Sequence, residues 1–366
     1  MNSRDELISD FQLLLDVLPE EIASQITDFN NLVEIVIDLG RPVELLTIHG
    51  TVELDMVADK QLIDNLLSNF SEPGIDNRCG LDTTLHRISA IKNKKGAVVG
   101  LTIRVGKPFA GNIQLIEDVL GESRSILLVG RPGVGKSTLL REISHSLSID
   151  YGKRVVIVDT SNEIAGEGDI PHKAVGKSRR LQVPPSKDQH VVMIEAVENH
   201  NPHVVIIDEI STKEEAMAAQ TISQRGVQII ATAHGNCVED ILNNKGIHDV
   251  IGGVEELTIS DDTMLRRGLT KKTIKERQNV PPFDCVIEIK QFDEVNIYYD
   301  TEEVVDAILD GRVIKPETRR MLGNSKIAIL SNYYVEPIKE SYVEEQKDNR
   351  TANTFSKRGN SARKKR

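Results

Sequence analysis

The chain has 366 residues, 39% hydrophobic and 28% charged, with a formal net charge of -11. That is enough for two or three domains with buried cores, and an acidic chain is ill suited to coating nucleic acid along its whole surface. Cys79, Cys237 and Cys285 lie far apart with no CxxC or Cys/His cluster, which argues against a zinc site or a disulfide framework. No apolar run approaches the roughly 20 residues that span a bilayer. The opening Met1-Asn2-Ser3-Arg4-Asp5-Glu6 resembles neither a signal nor a transit peptide.

Residues 1–30 read as helical, with Leu7, Ile8, Phe11, Leu14 and Leu15 at helical spacing. Two strands are expected at Asn31–Asp38 and Val43–Ile48, separated by Leu39-Gly40-Arg41-Pro42. A short helix is expected at Gln61–Phe70. A hairpin follows, Leu85–Ala90 with Ala97–Val105 across Asn93-Lys94-Lys95-Gly96. Residues 1–108 thus read as a small N-terminal α+β domain, left through a connector near Gly106-Lys107-Pro108-Phe109.

From 109 to 275 short apolar runs alternate with helical patterns. Ser125–Val129, Val155–Val158, Val204–Ile207 and Val227–Thr232 are nearly continuous aliphatic stretches, as in parallel strands buried on both faces. Strands alternating with helices indicate βαβ crossovers and an α/β fold with a doubly wound, mainly parallel sheet. A C-terminal extension over 276–335 adds a strand pair, Cys285–Lys290 and Val295–Tyr299, and a helix near Glu302–Leu309. Residues 336–366 read as a basic tail without periodicity.

The first expected core strand runs into Gly130-Arg131-Pro132-Gly133-Val134-Gly135-Lys136-Ser137, and Thr138-Leu139-Leu140 begins a helix. This is G-x-x-x-x-G-K-[ST] in its proper strand–loop–helix setting. Glycines let backbone N–H groups turn inward around a phosphate, and the helix N-terminus faces the same anion. Lys136 is placed to reach the β- and γ-phosphates, Ser137 to ligate Mg²⁺, and Thr138 to donate a further hydrogen bond.

Val204-Val205-Ile206-Ile207-Asp208-Glu209 carries two acids to a strand end. Asp208 is expected to hold Mg²⁺ and Glu209 to orient and deprotonate the attacking water. The blander alternative is a solvated turn. Glu163, in Asp159-Thr160-Ser161-Asn162-Glu163-Ile164, is a candidate for positioning water or metal, against an Asx turn with a helix cap. His234, in Ala231-Thr232-Ala233-His234-Gly235, is a candidate reporter of the γ-phosphate, against a purely structural histidine. Candidate arginines for the developing charge are Arg78, Arg87, Arg104, Arg179, Arg180, Arg225, Arg266 and Arg267. Asn244-Lys245-Gly246-Ile247 begins a guanine-recognition motif but has Ile in place of Asp, which favours ATP over GTP.

The strings Asp159–Gly166, Arg179-Arg180-Leu181-Gln182-Val183-Pro184, Gln224-Arg225-Gly226-Val227-Gln228 and Thr232-Ala233-His234-Gly235 resemble the stage III sporulation protein AA type of ATPase. They resemble more closely its relatives encoded in algal plastid genomes and cyanobacteria, as do Asp76-Asn77-Arg78-Cys79-Gly80 and Leu85-His86-Arg87-Ile88-Ser89. The resemblance covers roughly residues 30–310. It implies a RecA-like P-loop NTPase core related to secretion and pilus-retraction ATPases, an N-terminal domain packed near the nucleotide, and homo-oligomeric rings, often hexamers. It assigns the acidic box to Glu163, the catalytic glutamate to Glu209 and the histidine box to His234. It also implies a plastid location if the chain is plastid-encoded, and a cytoplasmic one otherwise. Some relatives carry a C-terminal nucleic-acid module marked by Arg-x-x-x-His; here no histidine follows His248.

The leading expectation is therefore a Mg²⁺-dependent ATPase acting as an oligomeric motor or remodeller. The alternative is a nucleotide-switched module that binds nucleic acid through the basic tail or the Lys92–Lys95 region. A small-molecule kinase is a third reading, carried only by a faint lid-like Arg179-Arg180.

Overall fold

The computed structural model describes residues 3–107, 112–122, 124–260, 273–322 and 326–337. The N-terminal part is a six-stranded sheet of β1 (Leu32–Asp38), β2 (Pro42–Thr47), β3 (Gly50–Val57), β4 (Arg78–Gly80), β5 (Arg87–Lys92) and β6 (Val98–Arg104). Its spatial order is β3-β2-β1-β6-β5-β4, with every pairing antiparallel. Ile35, Ile37, Val43, Leu45, Ile88, Leu101 and Ile103 point to one face and are fully or nearly fully buried. There they meet Phe11 and Leu14 of the helix Ser3–Val17 and Leu62, Ile63 and Leu66 of the helix Lys60–Leu67. Asp59 caps that second helix, its side chain accepting from the Leu62 N–H.

Helix over 1–30 is broken. It stops at Val17, and a single turn, Glu20–Ala23, restarts after Pro19, whose fixed φ and missing N–H suit a helix start and not a helix interior. The sequence reading has no strand at β3 or β4. β3 is an edge strand with Glu53 and Asp55 turned to solvent, so no apolar run marks it. The expected hairpin forms as β5 and β6; Asn93 Oδ1 closes its turn by accepting from Lys95 N and Ala97 N.

The second sheet has nine strands. β7 (Ile126–Gly130), β8 (Val155–Asp159), β9 (Arg179–Gln182), β10 (Val204–Ile210) and β11 (Gln228–Ala233) are followed by a separate ribbon, β12 (Val254–Thr258) with β13 (Thr273–Arg277). Then come β14 (Cys285–Gln291), β15 (Glu294–Tyr298), β16 (Ile314–Lys315), β17 (Glu317–Leu322), β18 (Lys326–Ser331) and β19 (Tyr334–Val335). The order is β18-β17-β15-β14-β7-β11-β10-β8-β9. The run from β14 to β9 is parallel throughout. β15, β17 and β18 extend it in antiparallel steps, while β16 and β19 pair with each other.

Each face of the central strands is covered. Leu139, Leu140, Ile143 and Leu147 of the helix Lys136–Ile149 fill one side. The helices Gln189–His200, Lys213–Gln224, Val238–Asn243 and Thr301–Asp310 fill the other. The doubly wound sheet expected from the aliphatic runs is present. β14 lies directly beside β7, so strands of 276–335 share a sheet with those of 109–275. Part of the 106–109 connector, Arg266 and Arg267, and nearly all of the basic tail lie outside the described residues.

Candidate nucleotide site

Parallel strands deliver their C-terminal ends to one edge, and the motif residues collect there. β7 ends at Gly130. Gly133 and Gly135 have φ of 80° and 99°, in the left-handed region that a Cβ disfavours. A Cβ at either would meet nothing within 4 Å, so the backbone conformation, and not lack of space, requires glycine. Gly135 is the N-cap of the helix Lys136–Ile149. Lys136 Nζ donates to Gly130 O at 2.6 Å and points to Arg131 O at 3.4 Å. Burial lowers its pKa, opposed by the charges of Glu209, Glu163 and Asp208. Val134 packs into the apolar layer beneath the loop, while Pro132, Ser137 and Thr138 line a cleft of about 540 Å³.

The acid pair depends on a β-bulge. Ile207 pairs with Ala231 and Glu209 with Thr232, so Asp208 is an extra residue against β11. A bulge interrupts strict alternation and re-aims side chains, and both acids line the same cleft. Thr232 Oγ1 donates to the Asp208 carbonyl at 2.5 Å. On the other side, pairing with β8 stops at Ile207–Val158, and Gln189 Nε2 donates to the Glu209 carbonyl at 2.7 Å. Asp208 is 5% exposed. Burial first, then the charges of Asp159, Glu163 and Glu209, push its pKa up to about 8, against a hydrogen bond from Ser161.

Two buried charges fix the loop after β8. Asp159 accepts from Ala165 N at 2.8 Å. Arg141 donates to Glu163 O at 2.6 Å and Ile164 O at 2.7 Å. The loop so held presents Glu163, whose carboxylate accepts from the Ser137 hydroxyl at 3.2 Å and from Arg87 Nη1 at 3.0 Å. Arg87 comes from the N-terminal sheet, which therefore forms the opposite wall of the cleft. His234 Nδ1 stands 3.5 Å from Glu209 Oε1, and both side chains are well exposed.

Ser137, Asp208, Glu163 and Glu209 offer only hard oxygen donors around a crowded set of carboxylates, a donor set suited to Mg²⁺. The arginines separate. Arg87 and Arg104 line the cleft, Arg104 being paired with Glu34 at 3.3 Å. Arg180 instead donates to the carbonyls of Gly166, Gly168 and Asp169. Arg179 lies by His200, Arg225 by Glu198 and Arg78 by Asp76. Arg141, Asp159, Gln189 and Thr232 were not singled out from the sequence as site residues. For Arg141 a signal existed: it follows Ser137 by four residues, on the same helical face.

The fold and the site's geometry define a RecA-like P-loop ATPase fold. A pilus retraction motor, PilT, solved with bound ADP, superposes with a TM-score of 0.50 over 94% of this chain and 89% of that one, at 15% identity. Residues 84–262 match the family described as sporulation stage III, protein AA. The chain belongs to the ycf45 family of that group: it is 42% identical over 333 residues to the uncharacterized protein ycf45 of Cyanidium caldarium, covering 89% of this chain and 98% of the relative. It is 46% identical over 330 residues to ycf45 of Porphyra purpurea (88% of this chain, 58% of the relative). It is 43% identical over 336 residues to protein SEEDLING PLASTID DEVELOPMENT 1 of Arabidopsis thaliana (91% and 48%). The chain thus spans about half the length of these last two. The family expected from the motif strings is the one found. Among the described residues no helix is long and apolar enough to cross a membrane.

Proposed function

We propose that the chain binds ATP with Mg²⁺ and hydrolyses it to ADP and phosphate, as an oligomeric motor or remodeller in a plastid. The observation that carries this reading is the shared cleft: the glycine turn with Lys136 and the bulged Asp208–Glu209 pair face it together. The loop amides and the Lys136 ammonium take the phosphates, and Gly130, Arg131 and Val134 shape the loop while Thr138 donates from the first helical turn. Ser137 and Asp208 hold Mg²⁺, which when bound neutralises phosphate charge. Glu209 receives the proton of the attacking water, and its half-exposed carboxylate gives water access. Glu163 holds the Ser137 hydroxyl and Arg87 in place, and His234 lies beside Glu209. The plastid setting is supported by the algal ycf45 relatives and the Arabidopsis plastid-development protein. The motor reading is supported by the fold shared with a retraction motor.

The test is steady-state ATP hydrolysis with nucleotide affinity measured separately. Lys136→Ala should lose binding. Glu209→Gln should bind ATP and lose about 10²–10⁴-fold in kcat. Equal rates in wild type and both variants would overturn the proposal.

A further inference from the structure

Glu209 is the residue whose aim matters most to the reading above, yet its carboxylate is 45% exposed, and among the described residues its ionic contact within 4.0 Å is with His234 Nδ1, 3.5 Å away, while Lys136 and Asp208 feel its charge from farther off. No hydrogen bond among the described residues holds that carboxylate, so where it can point depends on the course of its backbone. That backbone sits just past the bulge at Asp208, where the ladder to β8 has ended at Ile207–Val158. Pairing with β11 continues at Glu209–Thr232, but on the β8 side the part-buried strand end has lost its ladder and needs another donor. Gln189 supplies it, donating from Nε2 to Glu209 O at 2.7 Å.

Gln189 is equipped for this. It is 7% exposed and is the first residue of the helix Gln189–His200, so its Cα is held by a rigid element. Its carboxamide orientation is fixed from the far side by the Thr160 hydroxyl, which donates to Oε1. The same amide thus touches the loop after β8 and the end of β10.

We infer that Gln189 is a positioning residue for the hydrolytic step, its side-chain amide clamping the Glu209 backbone so that the carboxylate faces the attacking water. This deepens the hydrolysis reading and rests on it. The donor half of the amide does the positioning; the bond from Thr160 only orients it.

Three variants of the full chain separate these roles. Gln189→Glu keeps size and the acceptor for Thr160 but has no donor for Glu209 O. Gln189→Met keeps length and has neither. Thr160→Val removes only the orienting bond. The expected pattern is a loss of about 10- to 100-fold in kcat for both Gln189 variants, the scale of a misplaced catalytic group. Affinity for a fluorescent ATP analogue should stay within about twofold, since no phosphate contact changes. Thr160→Val should keep kcat within about threefold. A merely structural role would lower the melting temperature and leave kcat of the folded fraction unchanged. If Gln189→Met fails to fold, Gln189→Glu against Thr160→Val decides the matter alone. The inference is overturned if an active wild type is matched within threefold by the folded Gln189 variants, if affinity falls along with kcat, or if Thr160→Val loses as much as Gln189→Glu. A wild type without turnover overturns the hydrolysis reading itself, a different result from indifference at Gln189.

Discussion

Arg87 of the N-terminal sheet donates to Glu163 of the loop after β8 across 3.0 Å, and Glu163 in turn accepts from Ser137 in the first turn of the helix Lys136–Ile149. One carboxylate thus ties the outer wall of the cleft to the residue proposed to ligand Mg²⁺.

The Arg87–Glu163 pair is partly exposed, with side chains 21% and 43% accessible, so its own contribution to stability is small, under about 1 kcal/mol after screening. Its electrostatic effect on an incoming polyanion is larger. Arg87→Ala removes the cation hydrogen-bonded to Glu163 from a cleft that also holds Glu209. ATP affinity should fall several-fold while the melting temperature moves by no more than a few degrees. Calorimetric titration of nucleotide beside a thermal melt checks both; unchanged affinity would show that Arg87 does not offset the acids.

Asp208 makes stability depend on pH. Its folded-state pKa, up to about 8, lies above the unfolded value. Between about pH 4 and 8 the folded chain holds a proton at this carboxyl that the unfolded chain has released, so stability from this group falls as pH rises through that window. Asp208→Asn cannot ionise. In metal-free protein it should melt several degrees above wild type at pH 8, with the gap closing towards pH 4, while ATP turnover is lost. Melts from pH 4 to 9 test this, and a constant gap across the range would contradict it.

The local parts of this site were legible and the non-local parts were not. Gly130–Thr138 is one contiguous string whose chemistry is set by glycine, one ammonium and a helix start. Asp208 and Glu209 stand out because four aliphatic residues precede them. The bulge that turns both toward the cleft depends on the register against β11, and nothing within β10 announces it. Gln189 lies 20 residues before the carbonyl it holds, across a crossover helix. Arg180 illustrates the converse. Its adjacency to Arg179 suggested phosphate chemistry, but strand alternation turns it onto the carbonyls of 166–169. β14 also escaped placement, because pairing beside β7 joins residues more than 150 apart in sequence.

Arg141 is a structural prediction with a functional consequence. It is 5% exposed, and burial draws its pKa down to about 10, still leaving it charged at neutral pH. Among the described residues its guanidinium donates to the backbone carbonyls of Lys107, Glu163 and Ile164. Arg141→Met removes those donors from a buried setting and should cost about 2–4 kcal/mol. Arg141→Lys should recover only part of this, because an ammonium cannot reproduce the planar fork. Urea unfolding of the three proteins measures the ordering, and a lysine variant as stable as wild type would show that charge alone suffices.

Gly135 separates loop conformation from loop chemistry. At φ 99° an alanine must adopt the left-handed region, at a cost of about 1–2 kcal/mol. Its Cβ meets no atom within 4 Å, so no clash adds to that figure. The folded chain can relieve the strain only by rotating the peptide units that turn their N–H groups inward. Gly135→Ala should therefore keep a cooperative melt, lowered by a few degrees, and lose ATP binding by tenfold or more. Gly226→Ala provides the matching control: its φ is 77°, its Cβ is equally free of neighbours, and it lies at the end of the helix Lys213–Gln224, away from the residues that line the cleft. It should show a similar fall in melting temperature with nucleotide affinity intact. Equal affinity losses in the two variants would mean that general destabilisation, and not the shape of the phosphate loop, governs binding.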